Sequence, residues 1–180
     1  IIKKLTNNNI LNLRIYKKNK NHIEIIKKNK EKNEKTIYKI NLLDLENNNI
    51  EIPQEEFSTI ITLNSSDFHK IIHNMNSIAK DVDIKSVNNK LIFSCNGDFC
   101  SQETILSSNN DNIDIVSDNN NDIIKGIFSL DKLSTFTKCT NLSNEVEIYF
   151  KNNYPLIIRY TISSLGEIKF CLSPKILTTI

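Results

Sequence analysis

One pattern recurs three times along this chain, and such repetition constrains a fold more than any single motif does. Each copy has a short amphipathic segment, then two alternating runs joined by an Asn/Lys turn. The first copy, from Ile1 to Lys28, has the tail of a helix followed by Ile10–Ile15 and His22–Ile26. The second has Ser66–Ala79, then Val82–Val87 and Lys90–Cys95. The third has Ser129–Lys138, then Val146–Phe150 and Pro155–Tyr160. Apolar and polar residues that alternate in short runs occupy opposite sides of an extended chain, which predicts half-buried antiparallel strands. A spacing of roughly 65–70 residues makes each copy a helix-plus-meander module rather than a solenoid turn. The expected class is therefore α+β.

In the middle segment Phe68, Ile71, Ile72 and Met75 fall at i, i+3, i+4 and i+7, with Ile78 extending the stripe, so one side of a helix is buried. Lys70, His73, Asn74 and Ser77 then face the other way. The third segment repeats this, with Leu130, Leu133 and Phe136 toward the core and Lys132 and Lys138 outside. Such a stripe alone reports only core packing. These two stand apart because both outward faces carry basic or neutral groups in an acidic stretch. The net charge of +2 divides unevenly: residues 1–40 hold twelve Lys/Arg against three Glu (+9), and residues 41–180 hold eleven against eighteen acids (−7). An anionic partner would meet a restricted surface.

The stretch from Leu42 to Glu56 is too acidic and Asn-rich for a core strand, yet it spaces Leu45, Ile50 and Ile52 along a segment ended by Pro53. It is expected to be a surface connector between two domains, made adhesive by those exposed apolar residues.

Other classes have little support. No apolar run approaches the roughly 20 residues that span a bilayer, and no secretory segment opens the chain, so an intracellular protein without membrane contact is expected. The sequence opens on Ile1 without Met, which suggests a truncated start. Cys95, Cys100, Cys139 and Cys171 form no C-x-x-C pair and read as reduced, partly buried thiols. His69 and His73, at i and i+4, could hold a metal, but no Glu follows His69 and no third ligand is evident. There is no G-x-S-x-G, P-loop or G-x-G-x-x-G. No catalysis, cofactor or metal is expected.

Several stretches taken in order resemble one family. Leu43-Asp44-Leu45 through Ile50-Glu51-Ile52-Pro53 is similar to the interdomain connector of the eukaryotic and archaeal DNA sliding clamp, proliferating cell nuclear antigen. The similarity continues through Phe57–Ile61 and Asp67-Phe68, resumes at Phe136-Thr137-Lys138 with Leu142-Ser143, and closes at Tyr154–Tyr160 and Leu172-Ser173-Pro174-Lys175-Ile176. The resemblance implies a clamp fold of helix-plus-meander modules, with helices on one face of a continuous sheet, lacking the opening part of its first domain. On that reading residues 1–41 are the C-terminal half of the first domain, 42–56 the connector, and 57–180 the second domain with its tail. Subunits of this kind join as a homotrimer through edge strands, here Lys35–Asn41 and Gln102–Leu106, and encircle double-stranded DNA in the nucleus.

The resemblance also implies roles for residues. Lys4, Lys70 and Lys138, with Lys3 alongside, match DNA-facing basic positions, and His73 stands where an arginine is common. Flexible ammonium groups suit sliding, because they pass from phosphate to phosphate without reading bases. Taken singly, each lysine is an ordinary solvated side chain. A groove for the short motif of replication and repair proteins, and for a clamp loader, would be walled by Leu45, Ile50, Ile52, Pro53, Pro155, Leu172 and Pro174. Cys171, Ser173 and Lys175 flank it, Cys171 replacing an aromatic; otherwise these residues merely pin connector and tail to the sheet. Asn88 occupies the place of a modifiable lysine. The Lys17–Lys39 cluster is expected mostly on hairpin turns, as surface solubility or a nuclear import signal. A checkpoint-type heteromeric clamp subunit and a stand-alone basic nucleic-acid-binding module are the alternatives.

Overall fold

The computed structural model describes residues 8–17, 19–43, 56–108, 113–118 and 122–175. The chain divides into two units, Ile1–Glu51 and Ile52–Ile180.

In the first unit β1 (Asn9–Tyr16), β2 (Asn19–Asn29) and β3 (Glu34–Asn41) form an antiparallel sheet in that order. Register places Leu13 opposite Ile25 and Ile25 opposite Tyr38, an apolar cross-strand row of the kind that stabilises a meander. The β2–β3 turn is made locally. The Asn29 side-chain oxygen accepts from the backbone N–H groups of Glu31 and Lys32 at 3.0 and 3.1 Å, and Asn33 takes the left-handed conformation at φ +48°. Glu24 is buried, and it accepts from the Tyr16 hydroxyl at 3.1 Å with the Lys39 ammonium 3.6 Å away.

The second unit alternates strands and helices: β4 (Thr59–Asn64), α1 (Ser65–Asn76), β5 (Asp81–Val87), β6 (Lys90–Asn96), β7 (Ser101–Ser107), β8 (Ile113–Ser117) and β9 (Ile124–Ser129). Then come α2 (Leu130–Phe136), which continues as a 3-10 turn over Thr137–Leu142, β10 (Glu145–Phe150), β11 (Leu156–Ile162) and β12 (Gly166–Leu172). The strands form a five-stranded sheet, β12-β11-β10-β4-β8, and a four-stranded sheet, β7-β6-β5-β9. Alternation is kept in β4, β5, β6 and β10: Ile61 and Leu63, Val82 and Ile84, Leu91 and Phe93, and Val146, Ile148 and Phe150 all point into one core. Gly126 lies between the inward Ile124 and Phe128, and a Cβ there would come within 2.8 Å of the Phe128 ring.

Helix α1 packs on β4 and β10, α2 on β5 and β9, and the helices pack on each other, so one helical layer covers both sheets. Asn64 caps α1 by accepting from the Ser66 N–H at 2.9 Å, and Asp67 adds a negative charge in the first turn. Phe68, Ile72 and Met75 are fully buried, Leu130 and Leu133 likewise, while the opposite faces are open to solvent. Phe136 is half-buried and stacks on Phe170 with ring centroids 4.4 Å apart. The fold is thus α+β, as the alternation required.

Three expectations need correction. Most described lysines of the Lys17–Lys39 cluster lie within strands, only Lys17, Lys30 and Lys32 in turns, because β2 and β3 run on well past their alternating cores. The middle helix stops at Asn76, where Ser77 caps it, rather than continuing to Ala79. Cys95 is buried and Cys139 half-buried, but Cys100 and Cys171 are exposed, although all four are free thiols.

Candidate nucleic-acid interface and docking groove

The outward face of α1 carries Lys70 and His73, both exposed, and the neighbouring α2 segment carries exposed Lys132 and Lys138. Because both helices sink their apolar stripes into the same core, these groups share the helical layer's open side. The Lys70 ammonium sits 3.1 Å from the Asp67 carboxylate, so part of its charge is already neutralised. Asp131 is the other acid on this side. Lys70, Lys132 and Lys138 against Asp67 and Asp131 leave three positive charges against two negative on the helices, a sparse surplus. His69, one turn before His73, is half-buried: its Nδ1 lies 3.0 Å from the Thr137 hydroxyl, and its ring stacks on His73 at 5.8 Å. Lys3 and Lys4 lie outside the described residues.

The second candidate surface is built by the β11–β12 ladder and the chain that follows it. Leu156 pairs with Leu172 and Ile157 with Cys171, so Pro155, which cannot donate to the ladder, sits at the start of β11 beside the exit of β12. Beyond Ser173 the tail turns onto the four-stranded sheet. The Lys175 N–H donates to the Ile127 carbonyl at 2.8 Å, and the Lys175 ammonium reaches Asp81 at 2.7 Å. Pro174 and Lys175 then line a cavity of about 570 Å³ with Asp83, Lys125, Ile127 and Asn153. Burial raises the Asp83 carboxyl above its ordinary value, while Lys125 and Lys85 pull the other way. Of the predicted groove, Pro155, Cys171, Leu172, Ser173, Pro174 and Lys175 are thus brought together, whereas Leu45, Ile50, Ile52 and Pro53 lie outside the described residues.

Sequence reasoning missed an aromatic cluster next to this groove. Phe57 meets Tyr149 and Tyr154 edge-on, at 5.5 and 5.7 Å, and the Arg159 guanidinium lies over Tyr149 at 5.3 Å. Arg159 also bonds Glu147, which accepts from the Tyr149 hydroxyl at 2.6 Å. Burial, and then that carboxylate, push the Tyr149 phenol up to about 12. The only advance sign was an aromatic at each end of the segment, at Phe57 and Tyr154.

Strands β3 and β7, which contain Lys35–Asn41 and Gln102–Leu106, are outer strands of their sheets. Asn88 lies in the β5–β6 turn, where Asn88 and Asn89 both take positive φ, +51° and +56°, so its backbone role alone accounts for asparagine there.

Residues 51–175 match the family described as proliferating cell nuclear antigen, C-terminal domain. A probable DNA polymerase sliding clamp of Paramecium bursaria Chlorella virus 1 is 37% identical over 164 residues, covering 88% of this chain and 62% of that protein. The proliferating cell nuclear antigen of Chaetomium thermophilum is 30% identical over 145 residues, covering 77% of this chain and 55% of that protein. Among solved structures, the crystal structure of the Entamoeba histolytica proliferating cellular nuclear antigen superposes with a TM-score of 0.78 at 26% identity, covering 97% of this chain and 67% of that one. The chain therefore spans less than two thirds of the length of these curated relatives. With a family match across most of its residues and the same fold beneath it, the chain belongs to the proliferating cell nuclear antigen family.

Proposed function

We propose that this chain is part of a DNA sliding clamp subunit: a non-catalytic scaffold that encircles duplex DNA and tethers polymerases and other replication and repair proteins. The observation that carries the reading is the helical layer, whose open side bears a few separated cations and whose buried side rests on antiparallel sheets. Sparse lysines give a weak, sequence-independent hold on phosphates, which permits sliding, whereas a dense base-reading surface would arrest it. Lys70, His73 and Lys138, joined by Lys3 and Lys4, are the proposed DNA-facing set.

Partner proteins, clamp loader included, would dock by a short motif with aliphatic and aromatic anchors on the groove of Pro155, Cys171, Leu172, Ser173, Pro174 and Lys175, completed by Leu45, Ile50, Ile52 and Pro53. Domain limits of 1–41, 42–56 and 57–180 belong to the same proposal. So does a homotrimer closed by pairing of β3 with β7 of the next subunit, which would cover edges that otherwise invite aggregation. Nuclear residence follows for a eukaryotic source, whereas an archaeal source, or a viral one as in the Chlorella virus relative, would change it.

Retention on DNA tests the reading. Loaded protein should stay on nicked circular plasmid through gel filtration and leave when the plasmid is cut once. Equal retention on circular and linear DNA, falling steeply with salt, would favour a stand-alone basic module instead. Solution mass then separates a homotrimer from a checkpoint-type heteromer.

A further inference from the structure

The three-stranded sheet of the first unit has two unlike faces. One is apolar, because register groups Leu13, Ile25 and Tyr38 with Ile15, Ile23 and Ile40. On the other, Lys28 and Lys35 share one row and Arg14, Glu24 and Lys39 another, with Ile26 and Ile37 between them. Lys28 and Glu24 are four residues apart on β2, so the two rows lie about 13–14 Å apart at about 3.4 Å per residue. Lys28, Lys35, Arg14 and Lys39 are all exposed. An antiparallel sheet turns its apolar face to a core and its polar face to water, so the basic face is the one left to solvent.

These cations are not balanced within the sheet. Lys28 lies directly opposite Lys35, and like charges so placed destabilise a strand pair. Among the described residues neither of these ammoniums, nor the Arg14 guanidinium, forms an ion pair, and the one carboxylate on this face, Glu24, is already met. It is buried, accepts from the Tyr16 hydroxyl at 3.1 Å and lies 3.6 Å from the Lys39 ammonium. Glu34 belongs to the opposite face and Glu31 to the turn. Four cations against one carboxylate call for an anion with repeated charges. Ile10, Ile37 and Tyr16 stand among them, 40%, 46% and 46% exposed, and suit an anion that also carries flat apolar groups. We propose that this face binds single-stranded nucleic acid, with phosphates over the two cationic rows and unstacked bases against Ile10, Ile37 and Tyr16. A duplex keeps its bases inside, and an acidic peptide leaves those three side chains in water. The inference does not rest on the clamp reading, since it uses the first sheet alone.

Binding of a fluorescent oligothymidylate to the 180-residue chain is followed by anisotropy over a series of salt concentrations. The logarithm of affinity should fall against that of salt with a slope of about −2 to −3, as three or four phosphate contacts at about 0.7 each require. Arg14→Gln with Lys28→Gln takes one cation from each row, so the slope should flatten by about 1.4 and affinity fall about 10-fold or more at about 50 mM salt. Lys80→Gln with Lys90→Gln removes the same charge from the second unit and should change neither. Lys28→Gln alone should melt no lower than the unsubstituted chain, because it relieves the pairing with Lys35; a lower melting temperature would contradict the like-charge argument. Equal losses in the two double variants, or displacement by polyglutamate as effective as by unlabelled oligothymidylate at equal charge, would overturn the proposal. Retention on circular plasmid should survive Arg14→Gln with Lys28→Gln, so this inference and the clamp reading fail separately.

Discussion

Gly97 sits where the β6–β7 connection crosses the end of the first helix, and its missing side chain is a steric requirement. A Cβ built on Gly97 falls 2.1 Å from the Ile78 carbonyl oxygen and 3.0 Å from its carbon, both backbone atoms. Ordinary contact begins near 3.4 Å, so Gly97→Ala must open the gap by 3.4 − 2.1 = 1.3 Å. Neither side yields easily. The Ile78 N–H is bonded to the Met75 carbonyl at 2.9 Å, and the Gly97 N–H to the Cys100 carbonyl at 2.9 Å. Losing one of these bonds costs about 1 kcal/mol, and forcing an extra methyl into a packed place costs about 1–3, so we expect a loss of about 2–4 kcal/mol. In urea, with a slope of about 2 kcal/mol/M, that appears as a midpoint lowered by about 1–2 M with the slope unchanged. Asp98→Ala, on the exposed side of the same loop, should stay within about 0.5 kcal/mol. A Gly97→Ala midpoint matching that of Asp98→Ala would refute the steric argument.

Two further outcomes can be checked. The Tyr149 phenol is raised from 10.0 to about 12 in the folded chain, so the native state keeps this proton longer than the unfolded state; the stability it contributes is full below pH 10 and is lost as pH rises toward 12. Urea melts at pH 9.5 and 11.5 should show a smaller pH-dependent fall in Tyr149→Phe than in the unsubstituted chain, and an equal fall contradicts the assignment. In the β5–β6 turn, Asn89→Ala should cost about 1 kcal/mol and Asn89→Gly should cost nothing or stabilise, because φ is +56° there; thermal melts ranking alanine level with asparagine would count against it.

Much of the fold was legible because alternation and helical stripes are written locally. The runs around Ile84, Phe93, Ile148 and Ile158 became strands, and Phe68, Ile72 and Met75 turned inward together. The lysines of β2 and β3 misled because lysine is a weak strand signal, yet its long stem lies comfortably along the open face of a sheet. The Phe57–Tyr149–Tyr154 cluster could not be read ahead, since β4 and β10 must first pair, with Tyr149 opposite Ile60, to bring it together. Of the candidate surfaces, the outward cations and the tail were visible as patterns, whereas the tail's attachment to Asp81 and Ile127 depended on long-range packing.

That attachment has a thermodynamic consequence. The chain leaves the five-stranded sheet at Leu172 and is fastened by Lys175 to the four-stranded one, so the last described residues act as a strap across two sheets. Whatever settles along the strap engages a segment that exists in this form only when both sheets are assembled. Its binding energy is then shared with folding, and occupancy should report itself as a higher melting temperature of the whole second unit.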